Sequence, residues 1–141
     1  MKKEFSTYWL ASKQARKQRK YRYNAPLHLR HKFLSANLSK ELRKKYGMRS
    51  LSLRKGDEVL ILRGSFRKKT GKIVSVDLKR KRVVIEGINR KKAEGTKVNV
   101  YFDSSKLQIQ SLNLDDKKRL KRLDKNKRLE EKNASNKSRN S

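Results

Sequence analysis

Cysteine is absent from the 141 residues of this chain, and proline occurs once. Without cysteine the chain can form no disulfide and offers no thiolate to a zinc ion. It also lacks an apolar run as long as a transmembrane helix and any signal-peptide core, so we expect neither a membrane span nor a secretory leader. A cytoplasmic protein is the expectation that these absences favour.

Acidic residues are scarce as well, because 13 aspartates and glutamates stand against 42 lysines and arginines, a formal net charge of +29. Such a charge repels itself in a compact chain, so a polyanionic partner is expected. Nucleic acid is the usual partner, and an anionic membrane surface is the alternative. With 33% apolar and 39% charged residues, the chain has material for one small core with solvated or partner-bound flanks.

The N-terminal segment is predicted to begin with a basic arm. Phe5, Tyr8 and Trp9 make a local aromatic cluster, for which packing against the next segment is favoured over stacking on bases. Ser12–Tyr23 contains six cations and no acid. It lacks the apolar stripe that holds a helix to a core, so we expect this arm to order on contact with phosphate.

Two short helices are predicted after the arm. Pro26 suits the first turn of a helix, and the apolar positions that follow recur at helical spacing: Leu27, His31, Leu34 and Leu38. Ser39 then caps a second helix over Lys40–Tyr46, with Gly47 at the position past its end.

From residue 48 the pattern changes to the alternation that is typical of β-strands separated by tight turns. Gly87 and Gly95 bracket a stretch that is predicted to be a long loop. Five short strands at this spacing predict a mainly β fold, a small closed or partly open barrel. The predicted strands are Glu58–Arg63, Lys72–Leu78, Arg82–Glu86, Lys97–Phe102 and residues 107–110.

The last segment is predicted to be a charged helix and tail. Asp115 can cap the helix, and Leu120 and Leu123 share one of its faces. After Leu129 the tail has no apolar residue beyond Ala134 and is expected to be disordered in isolation. The chain therefore divides into a basic arm with short helices (1–47), a β-barrel (48–112) and a charged C-terminal helix and tail (113–141).

No group of residues favours catalysis or metal binding. Asp57 and Glu58 are adjacent carboxylates, but side chains next to each other in a strand point to opposite faces, which does not pair them for acid–base chemistry. His28 and His31 lie three apart on one helical turn, without the cysteines that would complete a zinc site. We therefore expect no enzyme, no cofactor, no metal and no small-molecule substrate.

Cations are instead spread along the chain in runs, each of which alone is more often a solvated face than a site. Their joint excess over acids favours a nucleic-acid interface. Most contacts are expected to go to phosphates, which fix position but do not report sequence. Arginines and exposed aromatics can add recognition of unpaired bases in a folded RNA.

Leu53–Leu78 resembles the KOW motif, in which a hydrophobic strand, a basic loop and a glycine before a second strand form part of an SH3-like barrel; its glycines here are Gly56, Gly64 and Gly71. Tyr23–Gly47 is similar to the N-terminal extension of the archaeal and eukaryotic family of large-subunit ribosomal protein L-twenty-four, named L-twenty-six in eukaryotes. The resemblance covers residues 12–124. It implies an SH3-like barrel bound to large-subunit rRNA, near the 5′ region of that RNA and the polypeptide exit, beside other ribosomal proteins and with an early assembly role.

The charge pattern and the resemblance together predict rRNA binding by Arg16, Lys17, Arg19, Lys20, Arg22, Tyr23, Asn24, His28, Arg30, His31, Lys32, Arg63, Arg67, Lys68, Lys69, Lys72, Lys79, Arg80, Arg82, Arg90, Lys91 and Lys92.

Two other classes of nucleic-acid-associated protein stay open. One is a KOW-containing transcription elongation factor docked on polymerase, although residues 1–50 are too short and too basic to supply the α/β domain that usually accompanies it. The other is an architectural protein that binds any duplex DNA.

Overall fold

The computed structural model describes Phe5, Ser6, Tyr8 and residues 11–124. The tail predicted to be disordered and the predicted packing of Trp9 lie outside the described residues. The helices are α1 (Ala15–Asn24), α2 (Leu27–Phe33), α3 (Lys40–Tyr46) and the helical residues 117–124, named α4. The strands are β1 (Ser35–Leu38), β2 (Ser50–Ser52), β3 (Glu58–Ile61), β4 (Thr70–Asp77), β5 (Arg82–Lys91), β6 (Lys97–Phe102) and β7 (Leu107–Ser111), the last preceded by a 3₁₀ turn over Ser104–Lys106.

The strands form one sheet in the order β2-β1-β7-β3-β4-β5-β6. All neighbours are antiparallel except β1 and β7, which run parallel with Asn37 beside Gln108. The start of β4 pairs with β3, whereas the rest of it, from Ile73 on, pairs with β5. The mainly β fold predicted from the sequence is confirmed, but the pairing leaves β2 and β6 at the two ends and does not close the sheet into a barrel.

One apolar core lies against this sheet. Val59 and Ile61 of β3 are buried, and so are Leu107 and Ile109 of the neighbouring β7, because alternate side chains of a strand share one face. Leu123 of α4 joins the same cluster and is 0% exposed. Burying such a side chain contributes about 1.5–3 kcal/mol. The start of the C-terminal segment is therefore part of the core.

The structure shows that one helix prediction was wrong in its extent. The helix predicted to continue through Leu38 ends at Phe33, and the next residues form β1. Leu34, Ala36 and Leu38 are all buried, which is an alternation of two. Leucines at 34 and 38 fit a helical period and a strand period equally well, and pairing with β2 and β7 selects the strand. The second predicted helix is confirmed, since the Ser39 hydroxyl accepts a hydrogen bond from the Leu42 N–H at 3.3 Å.

A second correction concerns the stretch between Gly87 and Gly95, which was predicted to be a loop. β5 continues through it as far as Lys91. The pairing of β5 with β6 shifts register between Val84 and Asn89, which is the mark of a β-bulge. The bulge interrupts the alternation of apolar residues, so the sequence pattern ends before the strand does.

The turn into β3 is fixed by a buried ion pair that the sequence did not predict. Asp57 is 0% exposed and Arg119 of α4 is 5% exposed. The two Nη atoms of Arg119 donate to the two carboxylate oxygens at 2.6 and 2.8 Å. The same oxygens accept the backbone N–H groups of Arg54 at 2.8 Å and Asn113 at 2.9 Å. This carboxylate thereby ties three chain segments together.

The neighbouring turn residue leaves no room for a side chain. Gly56 has a φ of +87°, and a Cβ added to it would lie 2.7 Å from Nδ2 of Asn113. Glycine is the residue that adopts this conformation without strain. Gly56 therefore lets the segment before α4 pack closely on the turn that Asp57 closes.

Candidate nucleic-acid interface

A cationic groove of about 680 Å³ lies between α1 and the turn that joins β4 to β5. We name it the arm groove. Among the described residues nine line it, of which six are cations and none is a carboxylate. It is lined by Ala15, Gln18, Arg19, Arg22, Tyr23, Arg30, Lys79, Arg80 and Lys81. Asp77 contacts Arg80 from outside the lining at 3.9 Å, in an exposed pair that neutralises little.

Aromatic rings hold α1 in place beside the groove. The ring of Tyr21 lies 4.8 Å from that of Phe5 and 6.1 Å from that of Phe33, measured between centroids. Nζ of Lys81 lies 5.2 Å from the Phe33 centroid, within the range of a cation–π contact. The packing predicted for the N-terminal aromatics is therefore present at Phe5, but the prediction is wrong for Tyr8, which is 93% exposed. The structure has a helix in the predicted arm, although α1 buries none of its own residues.

Arg30 fixes the corner between α1 and α2. Its Nε donates to the carbonyl of Ala25 at 2.7 Å, and its Nη2 donates to the carbonyl of Tyr23. These carbonyls lie at the C-terminal end of α1, where no further turn of the helix can satisfy them. The guanidinium of Arg30 thus donates to the protein backbone, while its positive charge still faces the groove.

Lys81 joins α1 to the β4–β5 turn from the other side. Its Nζ donates to the carbonyl of Arg22 at 3.2 Å, and its backbone has a φ of +57°. Burial lowers the pKa of Lys81 from its ordinary 10.5, and the guanidinium groups of Arg22 and Arg30 lower it further. The groove therefore gathers like charges whose repulsion a bound anion would relieve.

A second, smaller cationic pocket of about 230 Å³ lies between the loop after β3 and strands β5 and β6, and we name it the loop pocket. Its cations are Arg63, Arg90 and Lys106, and Tyr101, 46% exposed, forms part of its wall. The loop pocket shares no lining residue with the arm groove. Arg63, Arg90 and the predicted groove cations thus fall into two separate groups.

The basic loop of the KOW-like stretch borders this pocket. Phe66 packs edge-on against Phe102 with 6.1 Å between ring centroids, and Nζ of Lys69 lies 5.6 Å from the Phe66 centroid. The N–H of Lys68 donates to the carbonyl of Ile61 at 2.9 Å and closes the loop. Arg67, Lys68 and Lys69 are all exposed.

The structure separates the two histidines that the sequence placed together. His28 is exposed, whereas His31 is half-buried in a third groove, of about 770 Å³, with Arg54 and the carboxylates of Asp115 and Asp116. Burial lowers the pKa of His31 from its ordinary 6.5, and the nearby charge of Arg54 adds to the effect. This mixed-charge groove differs in character from the arm groove.

The remaining predicted site residues lie outside both cationic sites. All are exposed except Asn24, which is half-buried. On the helices they are Arg16, Lys17, Lys20, Asn24 and Lys32, and on the strands and hairpin tip they are Lys72, Arg82, Lys91 and Lys92.

Sequence reasoning missed two cations that complete the sites. Lys81 lies between the predicted site residues Arg80 and Arg82 but was not itself predicted as one, and its contact with α1 shows that it belongs to the arm groove. Lys106 is a lone cation at the end of the 3₁₀ turn, immediately before β7. No local pattern marks it, because the pairing of distant strands brings it to Arg63 and Arg90.

The KOW-like glycines have separate physical roles, and Gly71, like Gly56, leaves no room for a side chain. A Cβ at Gly71 would lie 2.7 Å from Cγ2 of Ile85 and 3.1 Å from the carbonyl oxygen of Glu86. Gly71 therefore permits close approach of β5 to β4, where β4 leaves its pairing with β3. Gly64, at a φ of +97°, opens the basic loop.

Two kinds of feature are absent from the described part of the chain. No helix within Phe5, Ser6, Tyr8 and residues 11–124 is long and apolar enough to cross a bilayer. The same residues contain no cluster of three or more histidine or acidic side chains placed to hold a metal ion.

Comparison with known proteins gives consistent matches over most of the chain. A protein called large ribosomal subunit protein uL24 from Sulfolobus acidocaldarius is 46% identical over 129 residues, which is 92% of this chain and 96% of the relative. A protein of the same name from Korarchaeum cryptofilum is 50% identical over 108 residues, 77% of this chain and 82% of the relative. These relatives are ribosomal proteins and not enzymes, which confirms the prediction that the chain is not an enzyme.

The family model that describes the eukaryotic ribosomal proteins L26 and their archaeal L-twenty-four counterparts matches residues 12–126. The match includes the arm, the whole sheet and α4. The chain therefore belongs to this archaeal and eukaryotic family of large-subunit ribosomal proteins.

Proposed function

We propose that the chain binds large-subunit rRNA as a structural component of the ribosome, mainly by neutralising phosphates. The arm groove is the observation that supports this most, because it gathers six cations and no carboxylate in one concave surface. A polyanionic backbone is the ligand that such a surface suits. The exposed cations predicted from the sequence extend the interface over α1, the basic loop and the β5–β6 hairpin.

The family resemblance adds a location and a role to this proposal. The rRNA segment would lie near the 5′ region of the RNA and close to the polypeptide exit, with other ribosomal proteins as neighbours. Binding there would support early assembly of the subunit in the cytoplasm. Two cationic sites that share no lining residue would allow the protein to contact separate segments of the RNA.

The finer description of the fold belongs to the same proposal. We propose that the sheet is a partly open SH3-like barrel of the KOW type, supported by the way β4 passes from pairing with β3 to pairing with β5. Residues 1–47 and 113–141 would then be extensions of a barrel formed by residues 48–112. β1, which pairs with β7, is the part of the first extension that joins the sheet.

The central experiment measures binding to a large-subunit rRNA fragment across a salt series. Charge reversal at Arg19, Arg22 and Arg80 should weaken binding and lower the salt slope by up to about 0.7–0.9 for each lost phosphate contact. Reversal at Arg67, Lys68 and Lys69 should also weaken binding while the protein stays folded. A matched control reverses the exposed lysines Lys40, Lys44 and Lys121, which lie outside both sites.

Equal losses in all three triple variants would show only a response to net charge and would contradict the assignment of these sites. In cells, the tagged chain should sediment with large subunits in moderate salt. Co-purification with RNA polymerase would instead favour the elongation factor. Equal affinity for any duplex DNA and for rRNA would favour the architectural protein.

A further inference from the structure

We propose that the arm groove holds an unpaired nucleotide of RNA, with its base stacked on Tyr23 and its phosphate among Arg19, Arg22 and Arg80. This inference rests on the proposed RNA binding and specifies the form of RNA that the groove takes. It starts from the ring of Tyr23, which is 79% exposed on the wall of the groove.

The geometry of α1 separates its two tyrosines. Successive helical residues are about 100° apart, so Tyr21 and Tyr23 point in roughly opposite directions. Tyr21 packs between Phe5 and Phe33 and docks the helix. Tyr23 stands on the face that lines the groove, whose other members follow the i, i+3, i+4, i+7 spacing of one helical face: Ala15, Gln18, Arg19 and Arg22.

The backbone under Tyr23 is held in position before any ligand arrives. Its carbonyl accepts a hydrogen bond from Arg30, and the carbonyl of the preceding residue, Arg22, accepts one from Lys81 at 3.2 Å. A ring presented from a fixed backbone loses less freedom on binding than one on a mobile loop. An exposed aromatic ring on such a support is a platform on which a base can stack.

The surroundings of the ring favour a single-stranded ligand over a duplex. In an A-form duplex the bases are stacked within the helix, and phosphates and ribose hydroxyls are what a protein meets. The ring of Tyr23 would then gain little, whereas an unpaired base offers its flat face. A volume of about 680 Å³ falls within the range of roughly 300–1,000 Å³ of sites that enclose small organic ligands.

The test compares two RNA ligands with the full-length protein. One is an RNA single strand of about twelve nucleotides, within the site sizes of stacking proteins, that contains a fluorescent aminopurine base. The other is the same strand paired with its complement. Tyr23→Ala should weaken binding of the single strand by roughly five- to a hundredfold, the loss of one stacked base, and leave the duplex affinity unchanged.

Further variants separate stacking from helix structure. Tyr23→Phe should bind both ligands like the parent, since the ring is kept. Leu27→Ala removes another exposed apolar side chain, 53% exposed and outside the groove, and should change neither affinity. Alanine is the best helix former, so Tyr23→Ala keeps α1, which circular dichroism checks. The parent should quench the aminopurine fluorescence, and Tyr23→Ala should not.

The outcomes distinguish this inference from the proposed function. Equal loss of affinity for both ligands in Tyr23→Ala would overturn stacking, and so would unchanged affinity for the single strand, while RNA binding itself would stand. If the parent bound neither ligand and no rRNA fragment, the proposed function would fail first. Quenching that survives in Tyr23→Ala would also overturn the inference.

Discussion

Replacing Arg119 by methionine should destabilise the protein more than any other single loss of charge in the described chain. The change keeps an unbranched side chain in place of the aliphatic part of arginine but removes the guanidinium from Asp57, which is 0% exposed. The carboxylate would keep the N–H groups of Arg54 and Asn113 and lose its only charged partner among the described residues. Removing one member of a buried ion pair costs about 3–5 kcal/mol.

That cost is a large share of the stability of a small domain, which is about 5–15 kcal/mol. Urea unfolding followed by circular dichroism should show this loss of stability as a lower urea midpoint, with an unchanged slope of the free energy of unfolding against urea concentration. Asp57→Ala should cost a similar amount, because it leaves the guanidinium of Arg119 buried without a counter-charge. The double variant should cost less than the sum of the two single variants, since neither charge is then left alone.

Arg54→Met is the matched control for this series. Arg54 forms an ion pair with Asp116 in the same region, but the two side chains are 44% and 25% exposed. A pair of this kind contributes up to about 1 kcal/mol. If Arg119→Met cost no more than Arg54→Met, or if the two losses in the double variant added fully, the buried pair would not be what holds α4 to the sheet.

Three further predictions concern other parts of the fold. The folded state lowers the pKa of His31 below 6.5, so the unfolded chain takes up a proton first as the pH falls. The free energy of unfolding should therefore decrease as the pH drops below about 6.5. Urea midpoints measured across pH should show that His31→Gln loses this decrease and that His28→Gln keeps it. Gly71→Ala should lower the midpoint, because the added Cβ would lie 2.7 Å from Cγ2 of Ile85, whereas Ser75→Ala, at an exposed position of the same strand, should change it little. Lys81→Met should speed hydrogen exchange in α1, whereas Lys79→Met should not, because Lys81 alone of the two donates to that helix.

Much of the fold could be predicted from the sequence, and the errors have specific causes. The strands after residue 57 alternate apolar and polar side chains, and that local signal is strong at Val59, Ile61, Leu107 and Ile109. It failed where a bulge breaks the alternation in β5. It also failed at β1, where helical and strand spacing coincide and distant pairing decides.

The sequence could not predict which cations bond to the protein itself and which line an open surface, because residues with the same side chain have different roles. Arg30 donates hydrogen bonds to backbone carbonyls, and Arg119 donates to a backbone carbonyl and to a carboxylate. Arg19 and Arg22 line an open groove instead. A run of basic residues in a sequence gives the total charge but not which cations hold the fold, since that depends on carbonyls and carboxylates that folding brings close.

The cations that bond to the protein itself also explain how so basic a chain can fold around a small core. The buried or half-buried lysines and arginines of the described chain each face backbone carbonyls, an aromatic ring or a carboxylate: Arg30, Arg43, Lys81 and Arg119. Cations that have such partners stabilise the joints between α1, α2, α4 and the sheet. The exposed majority repel one another in the free protein, so RNA binding should raise the stability of the folded chain, and most strongly at low salt, where that repulsion is least screened.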